Sequence, residues 1–250
     1  MIQSVDRAIR ILGVLQGARR LSLSEVASRL ELPPSTVHGI LKTLQAHGMV
    51  VQDRDSTRYQ LGPAVLKLGN VYLDTLELRS RAVTWSEELA RRSGHAVRTG
   101  VLTFDEVVII HHEPRPDGSR QMPEVGIVIP AHASALGKAL LAFLPEQVDE
   151  LTGDKLRSMT SETLVDPAVL RAQLAEVAKE ALATEREEAV LGEAGIAAPI
   201  FDASGVAVGA IGIVLPAADW PPAESSFTAV REAARNISRE LGAPRWPVPA

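Results

Sequence analysis

The 250 residues contain no cysteine. Disulfides, thiolate nucleophiles and cysteine-based zinc sites are therefore excluded, and nothing requires an oxidising compartment. No apolar run approaches the ~18 residues of a membrane span. The start, Met-Ile-Gln-Ser-Val-Asp, has no basic stretch followed by an apolar core. A cytoplasmic location with no membrane partner is the expectation. Catalytic frames are missing too. Gly137-Lys138 lacks the leading glycine of a phosphate loop, and Ala139 stands where a magnesium-holding Ser or Thr belongs. Ser134 has no Gly-x-Ser-x-Gly frame. His111 and His112 are adjacent in a strand-like run and so point to opposite faces, which argues against a shared metal ion. With no Ser-His-Asp set, metal triad or paired carboxylates, the chain is not expected to be an enzyme or to hold a cofactor.

What is present begins at Ser24. From there to Tyr59 the sequence reads as helix, tight turn, second helix and β-hairpin. Ser24 is the expected N-cap of the first helix, which buries Val26, Ala27 and Leu30. After a break at Glu31 and Leu32, Pro33 and Pro34 restart a helix in its first turn, where the missing N–H costs nothing. Val37, Ile40, Leu41 and Leu44 then recur at i, i+3, i+4, i+7 on one face. The opposite face carries Ser35, Gly39, Lys42 and Ala46, flanked by Thr36, His38 and Thr43. Small and hydroxylated groups let a helix enter a major groove, while Lys42 can reach phosphates or base edges. Gly48 ends the helix, and the runs 49–52 and 58–61 flank a turn, with Arg54 and Arg58 in or beside this wing. A three-helix fold with no DNA function would show the same amphipathic pair, but charge favours DNA. Residues 1–62 carry a formal +3 and residues 63–250 carry −8. A head of only +3 needs a second copy for useful affinity, so dimerisation on a palindromic duplex is expected.

Ahead of the helix pair, Val5, Ala8, Ile9, Leu12 and Leu15 form a stripe that would complete the head. Residues 1–62 are thus assigned to a winged helix-turn-helix, and 63–93 to a connecting helix read almost without interruption. Its Val65, Leu66, Leu68, Leu73, Leu76 and Leu78 pack either on another copy or on their own chain. Residues 94–243 form a larger second domain, and 244–250 a Pro-rich tail expected to be loose. In this second domain, strand-like runs at 95–102, 107–112 and 125–130 precede a helix from Ser134 to Leu144. A helix at 167–182, capped by Asp166, a hairpin turning at 202–205 and a closing helix at 222–241 complete it. The fold class is α+β with an antiparallel sheet. The run Glu185-Arg186-Glu187-Glu188 reads as a solvated loop, with one carboxylate able to turn toward a pocket. Small residues leading into the 134–144 helix either attract a carboxylate by their N–H groups and helix dipole or simply cap the helix.

The segments SVDRAIRILGVLQ, LSLSEVASRLELPPSTVHGILKTLQAHGMV and RYQLGPAVLKLG resemble the winged head of the IclR family of one-component transcriptional regulators. AHASALGKALLAFLP and IAAPIFDASGVAVGAIGI are similar to its GAF-like effector domain, so the resemblance runs from end to end. It implies a dimer or tetramer, a double-stranded DNA operator and a small organic effector that alters operator binding, with some members repressing and others activating. DNA contacts fall on Ser35, Thr36, His38, Gly39, Lys42, Thr43, Arg54 and Arg58, where Gly39 replaces a basic residue common in the family. Effector contacts map to Ser134, Ala135, Leu136, Gly137, Glu185, Gly195, Gly212 and Val214. In acid-binding relatives the last three positions hold a cysteine and two serines. Their replacement implies a roomier, more apolar pocket, suited to an apolar or aromatic carboxylate rather than a very small ketoacid. Arg98 is read as an exposed strand residue in preference to a partner for that carboxylate.

Overall fold

The computed structural model describes residues 2–153 and 156–247, which divide into two compact units, Met1–Thr75 and Leu76–Ala250. In the first unit, α1 (Gln3–Ala18), α2 (Leu23–Leu30) and α3 (Pro34–Ala46) are followed by β1 (Val50–Gln52), β2 (Tyr59–Leu61) and α4 (Pro63–Thr75). β1 and β2 pair antiparallel as the wing. Ile11, Leu15, Val26, Leu30, Val37, Leu41 and Tyr59 make the core of this head.

In the head, two expectations need correction. The cap of α2 is Ser22, not Ser24: Ser22 Oγ accepts from Glu25 N at 3.3 Å and Ser22 N donates to Glu25 Oε2 at 2.7 Å. This reciprocal box satisfies two otherwise orphaned N–H groups. The stripe of α1 is also rotated: Ile11 and Leu15 are buried with Ala8 and Leu12 partly covered, whereas Val5 and Ile9 stay 52% and 63% exposed. Apolar residues all round the helix leave its phase undetermined by periodicity alone.

The connecting region is two helices. α4 stops at Thr75, Leu76 is extended, and α5 (Glu77–Ser93) runs on to Gly94, whose left-handed φ of 74° ends it. Beyond it lie β3 (Ala96–Thr103), β4 (Glu106–Glu113) and β5 (Val128–Pro130), then a 3-10 turn at Ala131–Ala133. α6 (Ala135–Leu141), α7 (Pro145–Gly153) and α8 (Pro167–Glu180) follow. β6 (Ala183–Arg186), β7 (Glu193–Phe201), β8 (Ala207–Pro216) and α9 (Glu224–Glu240) complete the unit.

The six strands form one antiparallel sheet in the order β5-β4-β3-β8-β7-β6. Packing against one face are α5 and α9; against the other is α6, backed by α8. β7 and β8 are buried almost throughout, as strands covered on both faces must be. The run expected as a solvated loop at Glu185 is in part the edge strand β6. Of the tail, residues 248–250 lie outside the described residues, and Trp246 packs edge-on against Phe201 at a centroid distance of 5.5 Å. Among the described residues no helix is long and apolar enough to cross a membrane.

Candidate functional site

Strand register fixes the floor of a cavity in the second unit. Arg98 on β3 lies opposite Gly212 on β8, Gly212 opposite Ala197 on β7, and Gly195 between Val214 and Glu185. Side chains in register share a face, so this row looks toward α6, while the alternate residues Val97, Ile196 and Ile213 project toward the α5–α9 side. The start of α6 closes over the row. Ser134 Oγ accepts from Gly137 N at 3.1 Å, capping that helix. The cavity so formed is about 320 Å³.

Ser134, Ala135, Leu136, Glu185, Gly195, Gly212 and Val214 all line this cavity. Gly137 does not. A Cβ on it would stand 2.1 Å from Ala131 O, so glycine is needed there for packing against the turn before α6. Gly212 is likewise confined, since a Cβ would meet Ile196 O at 2.3 Å and Ala197 Cβ at 2.7 Å. The room expected from its missing side chain is taken up by the neighbouring strand. At Gly195 a Cβ would have Glu185 Oε1 at 3.3 Å and Ala135 Cβ at 3.4 Å, so this glycine lets α6 and β6 approach β7 closely.

Sequence reasoning misplaced Arg98 and did not single out its partners. The Arg98 side chain is only 14% exposed. Its Nη2 donates to Glu124 Oε1 at 3.1 Å, its Nε to the other oxygen of the same carboxylate, and its Nη1 to Glu193 Oε2 at 3.3 Å. Burial works against the guanidinium charge, yet the hydrogen bond and charge of Glu124, and then Glu193, hold its pKa above the ordinary value. Glu124 lies in the connection between β4 and β5, 26 residues from Arg98, a pairing no local pattern announces.

Behind the cavity Lys138, unfit as part of a phosphate loop, is wholly buried on α6 with Nζ 2.5 Å from Glu188 Oε1. Burial pushes the Lys138 pKa down and the Glu188 carboxylate opposes that shift. Removing one member of such a pair strands the other charge, a loss of about 3–5 kcal/mol. Glu188 N donates to Glu185 Oε2 at 3.1 Å, so the buried pair also holds the carboxyl that lines the cavity. The Glu185 pKa is raised to about 7 by burial, with the charges of Glu188 and Glu193 adding to the shift while the Glu188 N–H and Lys138 oppose it.

In the head, Ser35, His38, Gly39, Lys42 and Thr43 are exposed along α3 and Thr36 is half-buried. Thr43 Oγ1 donates to Gly39 O at 3.1 Å. Apart from the backbone of its own helix and its chain neighbours, no atom lies within 4 Å of a Cβ built on Gly39, so the position is open. Arg54 is exposed in the wing turn. Arg58 is held back by Glu25 of α2, Nη1 to Oε2 at 3.1 Å, and its guanidinium is thus partly neutralised. Among the described residues no group of three His, Asp or Glu side chains could hold a metal ion.

Known proteins share both units. The family description "IclR helix-turn-helix domain" matches residues 4–54, and "Bacterial transcriptional regulator IclR C-terminal" matches residues 70–239. The glycerol operon regulatory protein of Streptomyces griseus is 44% identical over 250 residues, covering 98% of each chain. Among solved structures, an IclR transcriptional regulator from Silicibacter sp. TM1040 superposes with a TM-score of 0.84 at 25% identity, covering 99% of this chain and 100% of the other. An IclR homolog from Microbacterium hydrocarbonoxydans, complexed with 4-hydroxybenzoate, superposes with a TM-score of 0.79 at 26% identity, covering 95% and 98%.

Proposed function

The chain belongs to the IclR family of transcriptional regulators, and from that premise we propose that a small organic effector in the second unit's cavity alters the grip of the winged head on its operator. The family is one of DNA-binding regulators, not of enzymes. The observation that supports effector binding best is the cavity itself. Arg98 of β3, the β4–β5 connection with β5, the start of α6, β6 and the β7–β8 pair enclose about 320 Å³ with mostly apolar walls and a few charged groups. That is the usual build of a small-molecule site.

In this reading Ser35, Thr36, His38, Gly39, Lys42 and Thr43 face the major groove and Arg54 the adjacent backbone, with Arg58 steadying the wing through Glu25. Ser134, Ala135, Leu136, Glu185, Gly195 and Val214 meet the effector. Self-association as a dimer or tetramer is supported by apolar side chains left uncovered in the head. Leu68, Val71 and Tyr72, at i, i+3 and i+4 of α4, are exposed, as are Ile2, Val5 and Ile9 at the start of the chain. The Streptomyces griseus relative is named for a glycerol operon, which directs attention to operons for small hydroxylated metabolites.

The test is to select duplexes from a random pool with the full chain and follow binding by fluorescence anisotropy. The selected operator is then titrated with metabolites that raise the melting temperature. A palindromic selection whose affinity changes with such a metabolite is expected. Effectors that stabilise the protein but leave operator affinity unchanged would sink the gating; a pool with no enrichment would sink operator recognition.

A further inference from the structure

The charges in the cavity discriminate between ligand classes. Arg98 is the one cationic side chain among the described residues that line it, and both edges of its guanidinium are engaged by Glu124 and Glu193. Lys138 offers no alternative, being fully buried and turned to Glu188. Three carboxyl groups, Glu124, Glu185 and Glu193, thus face the space with one guanidinium among them. An incoming carboxylate or phosphate has to pull Arg98 from a two-pronged carboxylate partner, or else lie beside Glu185 and Glu193 with no partner of opposite sign. Both are unfavourable, because Arg98 and Glu124 are largely withdrawn from water, 14% and 21% exposed.

A cation fares little better. Arg98 already holds both oxygens of Glu124 and one of Glu193, burial disfavours ionised Glu185, and no aromatic ring is among the described lining residues to offer a π face. An uncharged molecule with several hydroxyl groups meets neither obstacle. Its O–H groups donate to the carboxylate oxygens of Glu193 and Glu185 that are left free, and its C–H faces lie on Leu136, Ile129 and Val214.

We propose that the cavity takes an uncharged polyhydroxyl ligand, a polyol or sugar, and rejects the carboxylate or phosphate form of the same molecule, with Glu124 and Glu193 as the residues that set this preference. It rests on the reading of the cavity as the effector site, and it replaces the carboxylate-bearing ligand expected from sequence. About 320 Å³ leaves room for more than a three-carbon polyol, so the probes should span sizes.

The experiment measures binding to the full-length protein by calorimetry at pH 7.5 for three matched pairs: glycerol and glycerol 3-phosphate, xylose and xylonate, glucose and gluconate. At least one uncharged member should bind, with its anionic partner at least tenfold weaker. Glu193→Gln and Glu124→Gln should each improve the anionic partner at least threefold without improving the uncharged one. Wild-type pairs decide the ligand class even if a variant fails to fold. The proposal is overturned if any anionic member binds as well as its uncharged partner, if none of the three uncharged members binds, or if folded variants leave the ratio unchanged. An anionic ligand that releases the operator removes only the ligand class and leaves the effector reading standing. An uncharged ligand that binds without altering operator affinity does the reverse.

Discussion

Glu185 ionises only near pH 7 in the folded protein, against an ordinary value of 4.5, so between those values the folded chain keeps a proton that the unfolded chain has released. Its contribution to stability is fully present below 4.5 and is lost as the pH rises through about 7. Burial is the main cause, with the charges of Glu188 just beyond β6 and Glu193 on β7 adding to it, while Lys138 on α6 and the Glu188 N–H oppose it. By linkage the loss amounts to at most about 3 kcal/mol. Glu185→Gln keeps the shape and removes the titration, so its melting temperature should fall less steeply than wild type between pH 4.5 and 7. Parallel curves for the two proteins would place the carboxyl in water. At Gly39 the prediction is steric and electrostatic. Because the site is open, Gly39→Ala should stabilise the head by up to ~1 kcal/mol. Gly39→Arg, which restores a basic residue common in the family, should raise affinity for random duplexes; unchanged random binding would show that the position faces away from DNA.

At the scale of elements, legibility followed periodicity. α3 could be read because its apolar residues keep to one face, with Val37 and Leu41 buried and Lys42 and Thr43 exposed. α1 could not be phased, since Val5 and Ile9 look as apolar as Ile11 and Leu15 yet remain exposed. β6 escaped because Ala-Thr-Glu-Arg shows no alternation of apolar and polar residues, and its pairing to β7 is long-range. The Lys138–Glu188 pair joins residues 50 apart by types that sequence reasoning assigns to the surface. Strand β8 shows the cost of reading a pocket from residue size alone. Gly212→Leu looks from sequence like a way to fill the cavity, but its Cβ collides with backbone of Ile196, so it should lower the melting temperature by disturbing the β7–β8 pairing. Val214 lines the same cavity and is only half-buried. Val214→Trp should therefore abolish the effector response while effector-free operator binding stays within about twofold of wild type, a factor worth ~0.4 kcal/mol. An unshifted effector midpoint in folded Val214→Trp would remove this face of β8 from the site.

Across the whole molecule the charge is divided, with a formal +3 in residues 1–62 and −8 in residues 63–250. Such a chain gains at one end from meeting a polyanion and is repelled at the other, which limits non-specific binding and makes specific binding depend on a few well-placed cations. The three basic side chains expected at the DNA face are not equivalent. Arg58 is already paired with Glu25, Arg54 sits on the exposed wing turn, and Lys42 stands on the open face of α3. Lys42 therefore carries the clearest prediction. If it meets a phosphate, Lys42→Ala should weaken operator binding about equally for all sequences and reduce the slope of log affinity against log salt by about one for each phosphate no longer neutralised. A single head would give up about one unit, whereas two heads on one palindrome would give up about two, so the same titration also reveals the number of copies bound. Helix α3 is well positioned to tolerate the change, because Lys42 is exposed and alanine is the stronger helix former. Equal slopes for mutant and wild type from 50 to 300 mM salt, on the order of the range over which such slopes are measured, would remove Lys42 from the interface.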